Sequence, residues 1–325
     1  MKHDKLSGLE MFLICGEALF DLFGDDGVQD GARFDARIGG SPFNVAMGLA
    51  RLGEDAGFFG GISTDTLGEK LVEKFRKEGV SERYILRTDY LTTLSLVQKD
   101  DQGHPAYTFY GANAADRMVT LDDLPDFDAP PLFLHLGSYT ALVEPVAGTL
   151  RALIERERAH TLVSFDPNIR PTVEPDLELW RQNTESLAPL ADVIKVSDED
   201  LALIAPQEEI SGIARRWIAG GTALVIVTRG GEGAMAFGPS FETDCPGIKV
   251  KVEDTVGAGD TFQAALLAGL KRLGATDRKS LAELDGDRIS RLLEFAVQAA
   301  AITCSRRGAD LPRIAELQKE WSKLI

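Results

Sequence analysis

Short apolar runs alternate with longer segments of helical periodicity along most of this chain. The runs have the length of buried strands and lie at Met11–Cys15, Ala56–Gly60, Leu132–Leu136, Thr161–Phe165, Val193–Val196 and Ala223–Thr228. The helical segments are Phe43–Leu52, Leu67–Glu78, Val146–Ala159, Leu177–Leu187, Ile213–Ala219, Ala258–Leu273 and Arg288–Ser305. This alternation predicts an α/β fold with a mainly parallel central sheet and helices on both faces. Ligands bind such sheets beyond the carboxyl ends of the strands.

Two stretches depart from the alternation, at about residues 19–38 and 92–112. Each pattern is typical of a pair of short strands joined by a polar turn, with no helix of its own. We interpret them as insertions in a single domain that spans residues 1–325. The alternative is that they are extra hairpins at the edge of the main sheet.

Composition restricts the classes of partner. The chain has 325 residues, of which 44% are hydrophobic, and these can form a sizeable core. Its formal net charge of −16 argues against binding to nucleic acid or to an anionic membrane, because both would repel it. Cys15, Cys245 and Cys304 are odd in number and lack C-x-x-C spacing, which favours a reducing, cytoplasmic setting. We expect neither an export signal nor a membrane span.

A glycine-rich turn opens the predicted helix that begins at Ala258. Gly257 and Gly259 flank Ala258, and Asp260 follows at once. A turn of this kind points backbone N–H groups and the positive end of the helix dipole at one place, which suits a phosphate. A carboxylate beside it can take the proton of an attacking hydroxyl. The alternative is an ordinary loop in which Asp260 only caps the helix.

A second motif begins the first predicted helix. Ser41 can cap this helix and Pro42 can be its first residue, so neither needs a function. Gly39 and Gly40 expose bare backbone that a ligand can approach closely. Asn44 offers both a donor and an acceptor, which match a sugar hydroxyl.

Two strings carry a resemblance to a known family. Asp254–Phe262, which reads D-T-V-G-A-G-D-T-F, resembles the C-terminal signature of the ribokinase/pfkB family of sugar kinases, and Gly39–Ala46 resembles its N-terminal pattern. Within that family the chain is most similar to fructokinases. The resemblance implies a ribokinase-like three-layer sandwich in which the two insertions form a small β lid over the sugar.

The resemblance also implies an activity. We expect an ATP-dependent, Mg²⁺-requiring kinase that transfers the γ-phosphoryl group to a primary hydroxyl of a ketose, with fructose as the preferred substrate and fructose 6-phosphate as the product. Asp260 would be the base, and the backbone N–H groups of Gly257, Ala258, Gly259 and Asp260 would form the anion hole. Lid edges often pair between subunits in this family, which implies a homodimer through the lid.

By the same resemblance, the residues that contact the sugar are Asp21, Gly39, Gly40, Asn44, Asn113 and Arg170. Asp21 suits this role because one carboxylate can accept from two neighbouring hydroxyls, although it could also be a turn acid on a solvated strand. Ser41 replaces a lysine found in ribokinases, which tells against ribose. Gly111 replaces an arginine of many relatives, which tells against an acidic sugar.

The resemblance assigns the nucleotide to Lys195, Thr228, Gly230, Gly233, Gly257 and Gly259, with Asp166 and Asn168 lining the channel. Ser197 and Asp200 stand where the family has the Asn and Glu of its N-x-x-E element, and Asp200 could reach Mg²⁺ through a water. Asp254 resembles part of the family's monovalent-cation loop, which makes K⁺ a second candidate cofactor.

Three other functions remain open at this stage: a 2-keto-3-deoxygluconate kinase, a nucleoside kinase, and a sugar-sensing regulator that kept the fold without catalysis. Two further nucleotide-binding classes are excluded. The chain has no G-x-x-x-x-G-K-[ST] string, so it is not a P-loop kinase. Strand-like residues follow Gly231 and Gly233, where a dinucleotide fingerprint requires a helix.

Overall fold

A computed structural model of the chain describes residues 10–25, 33–99 and 105–324. Within these ranges the chain forms thirteen strands, β1 to β13 in chain order: Phe12–Cys15, Leu19–Asp25, Arg33–Gly39, Ala56–Ser63, Ile85–Thr88, Leu94–Lys99, Pro105–Tyr110, Phe133–Gly137, Leu162–Asp166, Val193–Ser197, Leu224–Thr228, Gly233–Phe237 and Glu242–Pro246. It also forms ten α-helices, α1 to α10: Ser41–Arg51, Thr66–Glu78, Val146–Glu157, Leu177–Leu187, Asp198–Ile204, Ile210–Ala219, Ala258–Arg272, Arg278–Ala282, Gly286–Cys304 and Gln318–Ser322.

Nine strands form one large sheet in the order β13-β12-β11-β10-β9-β8-β1-β4-β5. The strands from β11 to β5 pair in parallel, whereas β12 runs antiparallel to both of its neighbours. Side chains of β1 alternate between two apolar clusters. Phe12 and Ile14 join residues of α1, α2, α7 and α9, while Leu13 and Cys15 join residues of α3 and α6. Helices therefore cover both faces of the sheet, which confirms the predicted α/β sandwich.

All six predicted strands and all seven predicted helices are present, with ends that shift by a few residues. The pattern missed β5, β13, α5, α8 and α10. β5 and β13 lie at the two edges of the sheet and are only partly buried, so their sequences lack a continuous apolar run. The three missed helices have seven, five and five residues, too few to show an apolar stripe.

The two insertions form a second sheet of four strands in the order β3-β2-β6-β7. β2 pairs antiparallel with β3 and parallel with β6, and β6 pairs antiparallel with β7. The predicted hairpins are therefore correct, and the alternative that they extend the main sheet is wrong. Their tips, residues 26–32 and 100–104, lie outside the described residues.

A buried hydrogen-bond network around Asp116 joins the second hairpin to the core. Its carboxylate accepts from the hydroxyl of Thr93, just before β6, and from that of Tyr139, just after β8, the latter at 2.6 Å. The ring of Tyr139 also lies edge-on to Phe109 of β7, with centroids 6.0 Å apart. These contacts fix the point at which the small sheet leaves the core.

No helix within the described ranges combines the length and the apolar character that crossing a bilayer requires.

Helices α1 and α7 pack against each other at very short range. A Cβ atom added to Gly48 of α1 would lie 2.6 Å from the Cβ atom of Ala264 in α7 and 2.7 Å from a methyl carbon of Leu311. Carbon atoms do not approach so closely, so only glycine allows this crossing.

We expect Gly48→Ala to lower the free energy of unfolding. Overpacking costs about 1–3 kcal/mol, and the better helix propensity of alanine offsets at most about 1 kcal/mol of that. Gly212→Ala in α6 is the matched control, because a Cβ atom at Gly212 meets nothing within 4 Å and should leave stability unchanged or slightly higher. Denaturant unfolding of both variants checks the prediction, and equal stabilities would contradict it.

Candidate active site

The residues that the sequence predicted for the site come together at the carboxyl edge of the sheet, which is the edge where its parallel strands end. The segment after β9, the end of β10 and the end of β11 all reach this edge, as the topology of a parallel sheet requires. The amino-terminal ends of α1 and α7 join them there, because side chains of α1 contact Asp260 in the first turn of α7.

Asp260 is buried between the two helices and is only 7% exposed. The hydroxyl of Ser41 donates to its Oδ1 atom at 2.6 Å, and the amide Nδ2 of Asn44 donates to its Oδ2 atom at 2.8 Å. Burial raises the pKa of Asp260, while these two hydrogen bonds and the charge of Lys195 oppose the rise. The carboxylate is thus a buried, positioned acceptor, and the alternative that it only caps its helix is wrong.

The turn before α7 has the geometry of an anion site. Gly257 has φ of +79°, and a Cβ atom there would lie 2.6 Å from that of Ala309. The N–H of Ala258 donates to the carbonyl of Thr255 at 3.2 Å, so it is already engaged in the turn. The N–H groups of Gly259 and Asp260 belong to the first turn of the helix and have no intrahelical partner. These two are the donors most available to an anion.

A buried ion pair lies behind this turn. Nζ of Lys195 is 2.8 Å from Oδ2 of Asp166, and the two side chains are 3% and 1% exposed. A Cβ atom on Gly259 would lie 3.3 Å from that Nζ, so the ammonium group borders the start of α7. Burial opposes the charge of Lys195, but the carboxylates of Asp166, Asp200 and Asp260 outweigh it and raise the pKa of Lys195. Lys195 therefore stays charged where the sequence predicted a phosphate partner.

Asp200 holds the segment after β9. Its Oδ1 atom accepts from the backbone N–H of Ile169 at 3.0 Å, and its Oδ2 atom accepts from the hydroxyl of Ser197 at 2.7 Å. Ser197 in turn caps α5 by accepting from the N–H of Asp200 at 3.0 Å. Burial raises the pKa of Asp200. Ser197 and Asp200, which replace the Asn and Glu of the N-x-x-E element, thus both form hydrogen bonds within the protein. The contact of Asp200 with Mg²⁺ through a water stays a prediction.

The predicted sugar residues Asp21 and Gly39 are direct neighbours across the first hairpin. A Cβ atom on Gly39 would lie 2.3 Å from Oδ2 of Asp21, so the glycine leaves room for that carboxylate. Burial raises the pKa of Asp21, whereas a hydrogen bond from the side chain of Ser95 and the positive charge of Arg170 oppose this rise. Gly40 has φ of +107° and approaches the carbonyl of Glu17. Asp21 therefore lies beside Gly39 and near enough to Arg170 for the charge of that side chain to act on its carboxylate.

The contact of Asn113 with a sugar stays a prediction. Asn113 is exposed, has φ of +55°, and makes no hydrogen bond that ties it to the other predicted sugar residues within the described ranges. Nearby, a Cβ atom on Gly111 would lie 2.9 Å from Nη2 of Arg117, so the absent side chain leaves space for that guanidinium. Arg117 lies over the ring of Tyr139, 5.0 Å from its centroid.

The predicted nucleotide glycines have different surroundings. Thr228 is the last residue of β11 and Gly230 follows it, and a Cβ atom on Gly230 would meet nothing within 4 Å. Gly233 has φ of +100°, and a Cβ atom there would lie 2.0 Å from the carbonyl oxygen of Cys245. Close pairing of β12 with β13 therefore requires glycine at position 233, whether or not a nucleotide binds.

Asp254 joins two loops behind the anion turn. Its Oδ1 atom accepts from the N–H of Val256 at 3.1 Å and its Oδ2 atom from that of Gly308 at 2.8 Å. Each oxygen keeps a lone pair that could face a monovalent cation. Within the ranges that the structure describes, no group of three or more His, Cys, Asp or Glu side chains is arranged to hold a metal.

Sequence reasoning missed the contact of Ser41 with Asp260. Gly40 precedes α1, Ser41 is its first residue, and no side chain caps this end, so the predicted capping role of Ser41 is wrong. Its hydroxyl donates to Oδ1 of Asp260 and accepts from Nδ2 of Asn168 at 3.3 Å. A serine before a proline has an ordinary explanation as a cap, so nothing in the motif pointed to this contact.

Comparisons with known proteins agree with this geometry. The sequence pattern of the pfkB family carbohydrate kinases matches residues 10–315. The chain is 37% identical over 275 residues to a fructokinase of Rhizobium leguminosarum bv. trifolii, and this match covers 85% of the chain and 84% of that protein.

Solved structures give the same result. A fructokinase of Xylella fastidiosa with bound ATP has a TM-score of 0.86 and 27% identity, covering 96% of this chain and 98% of that one. A Vibrio cholerae O395 fructokinase with fructose, ADP and calcium has a TM-score of 0.82 and 28% identity, covering 96% and 99%. A double mutant of that protein, with fructose, ADP and potassium, has a TM-score of 0.82 and 27% identity, covering 97% and 99%. With its buried Asp260 beside a glycine-rich anion turn, the chain belongs to the pfkB family of carbohydrate kinases.

Proposed function

We propose that the chain is an ATP-dependent fructokinase that converts fructose and ATP to fructose 6-phosphate and ADP. The observation that carries this proposal is the buried carboxylate of Asp260, held by Ser41 and Asn44 beside the unpaired N–H groups that begin α7. A base next to an anion cradle is what phosphoryl transfer to an alcohol requires. Among the relatives that match the chain over most of its length are the fructokinases of Rhizobium leguminosarum bv. trifolii and Xylella fastidiosa.

The transfer step needs one proton acceptor. The primary hydroxyl oxygen of the sugar forms a bond to the γ-phosphorus as the bond from that phosphorus to the bridging oxygen of ADP breaks. Asp260 takes the hydroxyl proton and later releases it to water. Since the transition state is loose, the proton moves late and a carboxylate of ordinary basicity suffices. Each carboxylate oxygen of Asp260 accepts one hydrogen bond from the protein and keeps a second lone pair. That lone pair can accept a hydrogen bond from the sugar hydroxyl.

Charge stabilisation makes the larger contribution. The N–H groups of Gly259 and Asp260, together with the dipole of α7, are proposed to face the transferring group. Lys195 adds a positive charge next to Gly259. Losing one preorganised donor of this kind typically costs about 2.7–4 kcal/mol of barrier. A chain with a net charge of −16 must attract ATP through such local groups.

The sheet of β2, β3, β6 and β7 is proposed to act as the lid of a single domain. Asp21 on β2 faces the Gly39 turn, so closing this sheet brings a carboxylate to the hydroxyls of the sugar. Excluding water from the closed site prevents wasteful hydrolysis of ATP. The open edges of β3 and β7 support the predicted homodimer through this sheet. That dimer and the reducing, cytoplasmic setting stay predictions.

A panel of sugars with coupled detection of ADP tests the substrate. We expect fructose to give the highest kcat/KM, with 2-keto-3-deoxygluconate and adenosine well below it, because position 111 has no arginine for an acidic sugar and the guanidinium of Arg117 beside it lies over the ring of Tyr139. A clear preference for the acid would make the chain a ketodeoxygluconate kinase, and a preference for adenosine a nucleoside kinase. Sugar binding without consumption of ATP would indicate a regulator.

We expect Asp260→Asn to lower kcat by about 10²–10⁴-fold, because the amide cannot accept the proton of the sugar hydroxyl. Sugar binding, measured by calorimetry, should change far less. Asp277→Asn is the control, since Asp277 is an exposed cap of α8. Near-normal turnover of Asp260→Asn with fructose bound normally would contradict the proposed role.

The chain has oxygen atoms suited to cations. Oδ1 of Asp166 and Oδ1 of Asn168 are buried and have no hydrogen-bond partner within the described ranges, and hard cations such as Mg²⁺ prefer oxygen. These residues, with Asp200 through a water, would face Mg²⁺, which when bound neutralises charge on the phosphates of ATP. Asp254 would face K⁺. A fructokinase solved with calcium, and its double mutant solved with potassium, support a cation at the site.

Turnover should therefore require Mg²⁺ and be higher in K⁺ than in Na⁺ at equal ionic strength. Binding of Mg²⁺·ATP and of ATP with a chelator, compared by calorimetry, provides a readout that does not depend on turnover. Asp254→Asn should remove the difference between K⁺ and Na⁺, since a neutral amide attracts a cation less strongly. Equal rates in both salts for the unmodified chain would contradict the monovalent site.

A further inference from the structure

We propose that Ser41 is a positioning residue for the base, and that it sets both the direction and the basicity of the Asp260 carboxylate. This inference rests on the proposed function, because it concerns the group that takes the proton of the sugar.

The direction of the hydrogen bond is determined by chemistry. An ionised carboxylate only accepts hydrogen bonds, so the proton of the Ser41 hydroxyl points at Oδ1 of Asp260 across 2.6 Å. Nδ2 of Asn168 only donates, and it lies 3.3 Å from the same hydroxyl oxygen. The Ser41 hydroxyl therefore accepts a hydrogen bond from Asn168 and donates its single proton in a hydrogen bond to Asp260.

Two donors fix the carboxylate from both ends. Ser41 holds Oδ1, and Asn44 holds Oδ2 at 2.8 Å. Both donors come from the first turn or so of α1, so the plane of the carboxylate follows the position of that helix. Without Ser41, Asp260 would keep one donor and could rotate about it. The lone pair that faces the sugar hydroxyl would then lose its fixed direction.

The same hydrogen bond acts on basicity. The groups that act on Asp260 are Ser41 and Asn44 on α1, Lys195 on β10, and Asp166 at the end of β9. Burial and the charge of Asp166 favour the protonated acid, whereas the two donors and Lys195 favour the carboxylate. A base must be ionised to accept a proton, so Ser41 helps Asp260 to stay in its active form at low pH.

Ser41 also connects the base to the nucleotide side of the site. Asn168 has φ of +41° and lies between Asp166, which pairs with Lys195, and Ile169, whose N–H donates to Asp200. The segment is thus held at both sides of Asn168. Its amide presents a donor to Ser41 from a fixed backbone, which gives the hydroxyl a preferred orientation before substrate binds.

The test is the pH dependence of kcat/KM for fructose, because its acid limb reports the ionisation of the base in the free enzyme. In Ser41→Ala we expect the midpoint of this limb to move up by about one pH unit, since a donor to the charged form is lost. On the plateau, kcat should fall by about tenfold from the loss of orientation. Asn168→Ala should shift the limb in the same direction by less, and Ser41→Thr, which keeps a hydroxyl, should restore the unmodified profile.

Thr222→Val is the matched control. It removes a buried hydroxyl that donates to the carbonyl of Ala188 before β11, at the opposite edge of the sheet, and should leave the profile unchanged. Superimposable profiles for Ser41→Ala and the unmodified chain would overturn the inference. If Ser41→Ala fails to fold, an unshifted limb in Asn168→Ala overturns it instead. Failure of the proposed function is distinguishable, because Asp260→Asn would then be as active as the unmodified chain.

Discussion

The close crossing of α1 and α7 is the constraint on which the site depends. Gly48 and Ala264 allow the two helices to approach at a distance that no larger pair would permit. That approach brings Ser41 and Asn44, in the first turns of α1, within hydrogen-bond reach of Asp260 in the first turn of α7. The anion turn and the base lie on the same helix, so one packing contact controls both parts of the chemistry.

The second constraint is the balance of charge beneath the anion turn. Asp166, Asp200 and Asp260 are all buried at the carboxyl edge of the sheet, with Lys195 as their shared cation. An unpaired buried charge is strongly destabilising, so removing any one of these groups would leave others uncompensated. Hydrogen bonds from backbone N–H and hydroxyl groups compensate the remaining buried negative charge. The bonds from Ile169 and Ser197 to Asp200 are examples. Three buried carboxylates thus coexist at this edge although the chain as a whole is negative.

The buried strands and long helices could be predicted from the sequence because each has a local pattern. Met11–Cys15 is apolar at every position since both faces of its strand are covered. Edge strand β13 and helix α5 have no such pattern, because their burial depends on neighbours that are distant in the chain. The glycine-rich turn and Asp260 were recognisable as one string for the same local reason.

The contacts of the site could not be predicted in the same way. Ser41 and Asp260 are 219 positions apart, and only the folded arrangement of α1 and α7 shows that they meet. Gly233 shows a different limit, because the motif assigned this glycine to a nucleotide and could not reveal that its close approach to the carbonyl oxygen of Cys245 also requires glycine. Asp200 kept the acidic character of its motif, yet its oxygens have partners that the motif did not reveal.

A crystal structure of the unmodified chain with fructose and a non-hydrolysable ATP analogue would test the central claim most directly. The measurement is the distance between the Asp260 carboxylate and the primary hydroxyl oxygen of the sugar that faces the γ-phosphate. Our account predicts hydrogen-bond contact, at about 2.6–3.2 Å, with the γ-phosphate against the N–H groups of Gly259 and Asp260. A hydroxyl that points away from Asp260, or a γ-phosphate bound elsewhere, would contradict it.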